Sequence, residues 1–389
     1  MEIAFCYESV LPARGGCEHY IADITRRLAA DGHRVALYAC RWDAAALPAA
    51  TRFRRLPAPG GPRALRPWRF AEACLRALAE DGPQVSVGFD KTWGQDILYP
   101  QGGLHLASAE HNLRKHRSPW RRGLARLAKG LDPASWSFAL LARRQYLGPH
   151  RPLIVANSEM VRGHFRHYYG IPAEAVRVLP SAVNPDRFAA HDRPRLRAEW
   201  RDRWELGASE AVGLFLGVNY RLKGLAPLLE ALPWVPADRP FRLLVAGHPH
   251  VRPYERLARH LGVADRVRFI GRSPESRFAY FAADFLVHPT FYDPCSLVVL
   301  EALGCGLPVI TTRYNGAAEL LRPAAAGAVL DDPHDSSALA RAITRLLDPG
   351  TRADAARAAR QAAAAWTFDD HYRGLLCLLA EAAERKRAA

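Results

Sequence analysis

Asp293 and Glu301 stand eight residues apart in the run Asp293-Pro-Cys-Ser-Leu-Val-Val-Leu-Glu301, which leads directly into Ala302-Leu-Gly-Cys-Gly-Leu-Pro-Val-Ile310. Asp followed by Pro reads as a helix N-cap and the first helical position. The apolar residues Leu297 to Leu300 would bury one helical face, Gly304 and Gly306 would end the helix, and Pro308 to Thr312 has the β-branched content of a strand. Such a helix turns its unpaired N–H groups and positive dipole end toward whatever lies before Ser296, so Cys295, Ser296 and Leu297 would border a phosphate or diphosphate. A nucleotide-sugar fits that description. The plainer alternative makes Asp293 a simple cap and Glu301 a solvated helix residue; capping and chemistry are compatible.

A cation stands where that diphosphate would need one. Gly217-Val-Asn-Tyr-Arg-Leu-Lys-Gly-Leu225 follows a strand pattern and precedes a helical one, which puts Lys223 near the same anion, with Arg221 as the nearest guanidinium. Fixed cations and backbone dipoles aimed at a leaving phosphate stabilise the charge that develops on it. On this reading Lys223→Ala folds normally and loses about 3 kcal/mol of transition-state stabilisation, roughly a hundredfold in rate. Both could instead be surface cations in a turn. No Asp-x-Asp pair occurs anywhere, so the carboxylates that would hold Mg²⁺ or Mn²⁺ on a donor diphosphate are missing, and no metal or other cofactor is expected.

The elements that must position these residues are legible as two α/β series. Residues 2 to 7 and 34 to 40 read as buried strands around a helix from Cys17 to Asp31, and Gly15 and Gly16 sit just before that helix. Strands follow at 85–89, 153–156 and 176–179, and after the segment Pro180 to Phe188 at 212–217, 241–247, 267–271, 285–288 and 308–312. Helical patterns over 225–232 and 253–261 alternate with the later ones, and 366–384 is amphipathic. Two successive series imply two Rossmann-like domains with ligand at the carboxyl ends of their strands. No GxGxxG is present.

The 389 residues, 49% hydrophobic and 24% charged, exclude a disordered or fibrous chain. Seven cysteines without a CxxC pair read as reduced packing thiols in a cytosolic protein. No signal peptide or membrane-spanning run is evident. A net charge of +15 calls for an anionic partner, and leaves nucleic acid, an anionic membrane and an acidic soluble ligand open. Part of it lies in Ala/Arg-rich stretches such as Thr351 to Ala365, which also suit a solvated helix face.

The Asp293–Glu301 run and the glycines and proline after it resemble the E(x7)E motif of the retaining glycosyltransferases of family 4, with Asp293 replacing the first Glu. The resemblance implies a GT-B architecture, in which two Rossmann-like domains face each other across a cleft. It places the acceptor-side domain at 1–183, the nucleotide-sugar domain at 184–365, and a final helix, 366–389, back on the first domain. By the same resemblance Asp293 orients the donor sugar and Glu301 the ribose. Lys223 holds the diphosphate, although the Arg usual beside it is Leu222 here. Gly15, Gly16 and Glu18 match a GGxE segment that touches donor phosphates or acceptor, and Gly271-Arg272-Ser273 and Gly247-His248 fall where the family binds the base. In Tyr99-Pro-Gln-Gly-Gly-Leu-His105, Gly102 and Gly103 border the acceptor and His105, on a flexible loop at the cleft, acts on its hydroxyl.

Ala4-Phe-Cys6, Val87 to Asp96 and the motif order are similar to the lipopolysaccharide-core glucosyltransferases of that family. The implied activity is transfer of a hexose, from UDP-glucose, to lipopolysaccharide core or another envelope glycolipid. Between His111 and Tyr146 nine Lys/Arg face a single acid, Asp132, with Trp120, Trp136, Phe138 and Tyr146 among them. That composition suits docking on the anionic inner face of the cytoplasmic membrane, and equally a helical hairpin with its aromatics in the core. A nucleotide-sugar epimerase of the same fold, a basic nucleic-acid-binding protein and a non-catalytic family member are the rivals. No zinc finger or RNP-type motif supports the second.

Overall fold

Runs such as Ile3-Ala-Phe-Cys6, with every side chain buried, are what a parallel strand covered by helices on both faces requires. The computed structural model describes residues 1–12, 15–58, 60–247, 249–272, 277–321 and 325–388. They fold as two units, Met1–Ser181 with Asp369–Ala389, and Ala182–Phe368. The strands of the first are β1 (Glu2–Cys6), β2 (Ser9–Val10), β3 (Arg34–Ala39), β4 (Arg41–Trp42), β5 (Arg52–Arg55), β6 (Val85–Gly88), β7 (Ile97–Leu98), β8 (Leu153–Ala156) and β9 (Val176–Val178). The second holds β10 (Ala211–Leu216), β11 (Phe241–Ala246), β12 (Val267–Gly271), β13 (Phe285–His288), β14 (Val309–Thr312) and β15 (Gly327–Leu330).

The first main sheet runs β5-β3-β1-β6-β7-β8-β9 and the second β12-β11-β10-β13-β14-β15, all pairs parallel. In each, successive strands step outward one way and then the other. The reversal opens a crevice beyond the carboxyl ends of β1 and β6 in the first sheet, and of β10 and β13 in the second. Connecting helices cover the faces. The longest early ones are Gly16–Ala30 and Arg66–Asp81, and the basic tract forms three, His105–Arg114, Pro119–Leu131 and Pro133–Leu147. Side-chain caps stop and start them conventionally: Asp132 accepts from Ala134 N–H and Ser158 from Val161 N–H.

The C-terminal helix Phe368–Ala388 packs within the first unit through a buried polar contact. His371, 0% exposed, donates from Nδ1 to the Pro180 carbonyl (2.7 Å) and accepts the Tyr20 hydroxyl at Nε2 (2.8 Å). Arg27–Asp369 at 3.0 Å and Arg177–Glu381 at 3.0 Å flank it. Gly374 belongs there because a Cβ would stand 2.6 Å from Leu179.

Burial lowers the His371 pKa to about 4, the Pro180 carbonyl pulling the other way. The unfolded chain therefore takes up a proton near pH 6.5 that the folded one refuses until about pH 4. Stability from this group is complete above pH 6.5 and falls by about 1.4 kcal/mol per pH unit between those limits. Thermal unfolding at pH 7.5 and 5.0 checks this: the wild type loses about 2 kcal/mol more across that interval than His371→Gln.

Candidate functional site

Loop and helix around the second crevice are held by backbone pairing and buried hydroxyls. Thr311 and Thr312 of β14 donate to the carbonyls of His288 (2.8 Å) and Thr290 (2.6 Å), which fixes the exit from β13. Phe291 N–H donates to Leu222 O (2.9 Å), tying this exit to the loop that follows β10. Gly224 lies against it at φ +83, and a Cβ there would meet Pro289 O at 2.1 Å. Only glycine allows that approach. Asn315 completes the frame: its Oδ1 accepts from Ser296 and Ala317 N–H, and its Nδ2 donates to Thr311.

Within this frame Lys223 and Asp293 meet. The ammonium lies 2.5 Å from Asp293 Oδ2, and both side chains are largely buried. His288, fully buried, places Nε2 3.5 Å from the same oxygen. Burial alone would raise the Asp293 pKa, but the Lys223 charge and the neighbouring His288 outweigh it and hold the carboxyl well below its usual range. Burial and Lys223 depress His288 against the pull of Asp293, so the imidazole is neutral at pH 7. The group is a charged pair beside a neutral imidazole.

Asp293 is not the helix cap that Asp-Pro suggested. The helix spans Leu297–Gly304 with Ser296 at the N-cap position, while Asp293 pairs with Asn315 in an isolated parallel bridge. Its N–H donates to Tyr314 O and its carbonyl accepts from Gly316, both at 2.9 Å. These bonds pull Asp293 out of helical geometry and leave its side chain to Lys223. Cys295 and Ser296 are buried beside the helix start, with Leu297 half-buried as its first residue. Glu301, 7% exposed, is no solvated helix residue either: it accepts the Tyr280 hydroxyl (2.6 Å) and pairs with Arg187 (3.1 Å).

Residues 14–187 match the model described as Glycosyltransferase Family 4, and residues 197–363 that of Glycosyl transferases group 1. The chain is 31% identical to the D-inositol 3-phosphate glycosyltransferase of Acidothermus cellulolyticus, over 96% of this chain and 88% of that one. The protein belongs to the family 4 glycosyltransferases. It is also 26% identical to the lipopolysaccharide glucosyltransferase WaaG of Escherichia coli K12, covering 89% of this chain and 90% of that protein. The crystal structure of WaaG, a glycosyltransferase involved in lipopolysaccharide biosynthesis, superposes with a TM-score of 0.81 at 24% identity, covering 97% and 99% of the two chains. The architecture is GT-B.

Other candidate residues of this glycosyltransferase are placed less centrally. Arg221 is exposed, and its charge is felt by Tyr254. Gly271 ends β12 and accepts the Gly247 N–H at 2.7 Å, and Gly247 stands so close to Gly217 that a Cβ would lie 2.4 Å from its carbonyl. The ends of β10, β11 and β12 thus present adjoining bare backbone, with exposed Arg272 beside them. His248 and Ser273 lie outside the described residues, as do Ala13 and Arg14 of the elbow before Gly15. Gly15 is the N-cap residue of Gly16–Ala30, and the Glu18 carboxylate folds over it.

His105 is not a loop residue. It begins helix His105–Arg114, and its ring stands edge-on to Phe138 at 5.4 Å. Burial first, then Lys91 and Lys129, lower its pKa, so it is neutral at pH 7. Gly102 and Gly103 form the turn before it, closed by Gly103 N–H to Pro100 O (3.0 Å). Sequence reasoning missed His288, Tyr280, Asn315 and Arg187. Arg187 was readable only as part of Asn-Pro-Asp-Arg-Phe188, and His288 only as the end of a strand.

The Lys223–Asp293 pair changes what Lys223→Ala should do. Removing one partner of a buried ion pair strands the other charge, at a cost of about 3 kcal/mol. Urea unfolding of the second unit, followed by a probe specific to it, should show Lys223→Ala destabilised by about that amount. Lys223→Ala combined with Asp293→Asn should regain more than half of the loss; equal losses in both variants would mean the pair is not coupled.

Proposed function

We propose that this glycosyltransferase transfers glucose from UDP-glucose, with retention and without a metal ion, to lipopolysaccharide core or another envelope glycolipid at the inner face of the cytoplasmic membrane. The observation that carries the reading is Lys223 and neutral His288 converging on Asp293 at the reversal point of the second sheet, beside the start of a helix. Such a crevice suits an activated sugar: a fixed ammonium and helix N–H groups stabilise the departing diphosphate, and an ionised carboxylate holds sugar hydroxyls. On this reading Asp293 does the second while its ion pair anchors Lys223 for the first. The glucose and lipopolysaccharide assignments draw on the similarity to the lipopolysaccharide glucosyltransferase of Escherichia coli.

Docking on the membrane is supported by the helix Pro119–Leu131. It has no buried side chain, and Trp120, Leu124, Leu127 and Leu131 form one exposed apolar stripe along it. Trp136 and Leu140 of the next helix are exposed as well, whereas Phe138 is buried and Tyr146 packs on Phe165 and Tyr169. Arg121, Arg122 and Arg126 lie on the same helix, so apolar insertion and attraction to anionic headgroups act together, each cation adding up to about 1 kcal/mol. No helix among the described residues is long and apolar enough to cross a membrane.

A thermal-shift panel of UDP-, GDP- and ADP-sugars in EDTA tests the donor: UDP-glucose alone should raise the unfolding temperature, because only a ligand of the folded state stabilises it. Product formed from donor without acceptor would favour the epimerase. With acceptor, Lys223→Ala should turn over roughly a hundredfold more slowly. For the membrane, sedimentation with phosphatidylglycerol-rich vesicles should fall at least tenfold in Trp120→Ala/Leu127→Ala, and wild-type binding to purely zwitterionic vesicles should be weaker still.

A further inference from the structure

His288 has more acceptors around it than a neutral imidazole can serve. It ends β13, fully buried, with Nε2 3.5 Å from Asp293 Oδ2 and with the Leu216 carbonyl of β10 also facing the ring. A neutral imidazole carries one N–H and an imidazolium two. Among the described residues neither ring nitrogen completes a hydrogen bond, although both are shut off from solvent. Buried polar atoms left this way cost free energy that closer engagement recovers. A second ring proton would serve both acceptors at once.

The charges nearby explain why that proton is absent. Lys223 faces the ring from the loop after β10, and Asp293 from the loop after β13. β10 otherwise offers the Phe215 ring, 6.2 Å away between centroids, and β14 the Thr311 hydroxyl, which donates to the His288 carbonyl. Burial first, and then the Lys223 charge, keep the imidazole neutral against Asp293 and the Leu216 carbonyl. Lys223 is the removable part of that opposition. Its side chain is 19% exposed, against 14% for Asp293 and 1% for His288, so an anion entering the crevice meets the ammonium first. A diphosphate there adds negative charge and draws the ammonium away from Asp293. Both changes favour a cation at His288.

We propose that His288 takes up a proton from solvent when a diphosphate engages Lys223, and so holds Asp293 in place once its first partner is shared. His288 is a positioning residue, since it acts on the ligand only through Asp293. That the diphosphate belongs to a nucleotide-sugar rests on the function proposed above; the proton uptake rests on the three side chains. Binding then strengthens as pH falls, because the complex carries a proton that the free protein lacks. The gain ends once the free protein is itself protonated, below the ordinary 6.5 of histidine.

Calorimetry of UDP-glucose with the full chain in EDTA tests this. Binding heats at pH 7 in MOPS and in Tris differ in proportion to the protons taken up, and UDP-glucose, whose phosphates are diesters, does not titrate near neutrality. The wild type should take up about half a proton or more per donor, with association about twofold or more weaker at pH 8. His288→Gln, checked for folding by circular dichroism, should take up about a fifth of that or less and lose the pH dependence. Imidazole carbon NMR of the wild type reads the ring itself, its signal assigned as the one lost in His288→Gln or His288→Asn. Saturating inorganic pyrophosphate should raise its titration midpoint by about one pH unit or more. Uptake unchanged in His288→Gln, or a ring indifferent to bound diphosphate, overturns the proposal. UDP-glucose binding without either response leaves the donor reading standing and this one fallen. Pyrophosphate moving His288 while UDP-glucose does not bind does the reverse, and if neither ligand binds, both fall.

Discussion

A carboxylate removed from water stays ionised only if something nearby makes the charge worth keeping, and in the second unit that is the ammonium of Lys223 against Asp293. The pair joins two segments far apart in sequence, the loop after β10 and the loop after β13. Their backbones are brought close enough by Gly224 against Pro289 and by the Phe291–Leu222 hydrogen bond. Asn315 holds the other side of Asp293 and the helix start together. Each charge therefore positions the other before any ligand arrives, which is the preorganisation that electrostatic stabilisation of a leaving group needs.

The two sheets share one topology and put different chemistry at its reversal point. In the second, a cation, a neutral imidazole and a helix start favour an anion that also carries hydroxyls. In the first, the carboxyls of Glu8, Glu18 and Asp90 line a cavity together with Lys91.

What the sequence made legible follows from burial. Strands such as β1, β10 and β13 are apolar but for Glu2 and His288 because both of their faces are covered, and such runs stand out without an alignment. β5 was hidden because it is an edge strand reading Arg-Phe-Arg-Arg, and β7 because two residues carry no period. The Asp293–Glu301 spacing was visible, but the cap it suggested was displaced by a bridge to Asn315, twenty-two residues on, which no local pattern reports. Glu301 likewise takes its partners from distant Tyr280 and Arg187. Asp90 was read only as part of a resemblance; its place in a cavity depends on β1 lying beside β6. The tryptophans of the basic tract were noticed and the leucines between them were not, because their exposure is a tertiary fact.

Net charge proved a blunt guide to partners for a related reason. Arginines here do much of the work of closing backbone ends. Arg197 donates to three carbonyls, Phe281, Ala282 and Ala283, at the end of helix Arg277–Ala282, and then to Asp284. Arg193 reaches Cys305 O at the end of the helix that carries Glu301, and Arg352 reaches Leu346 O at the end of helix Ser336–Leu347. A guanidinium suits these places because it meets several carbonyls at once and favours the negative end of the helix dipole. In helix Pro349–Ala365 the buried face is alanine, Ala355, Ala359 and Ala362, and Arg357 and Arg360 are exposed. Cations committed to carbonyls cannot also neutralise a phosphate backbone, so the formal +15 overstates the charge on offer. In helix Pro119–Leu131 the arginines lie on an element with no buried side chain, beside an exposed apolar stripe.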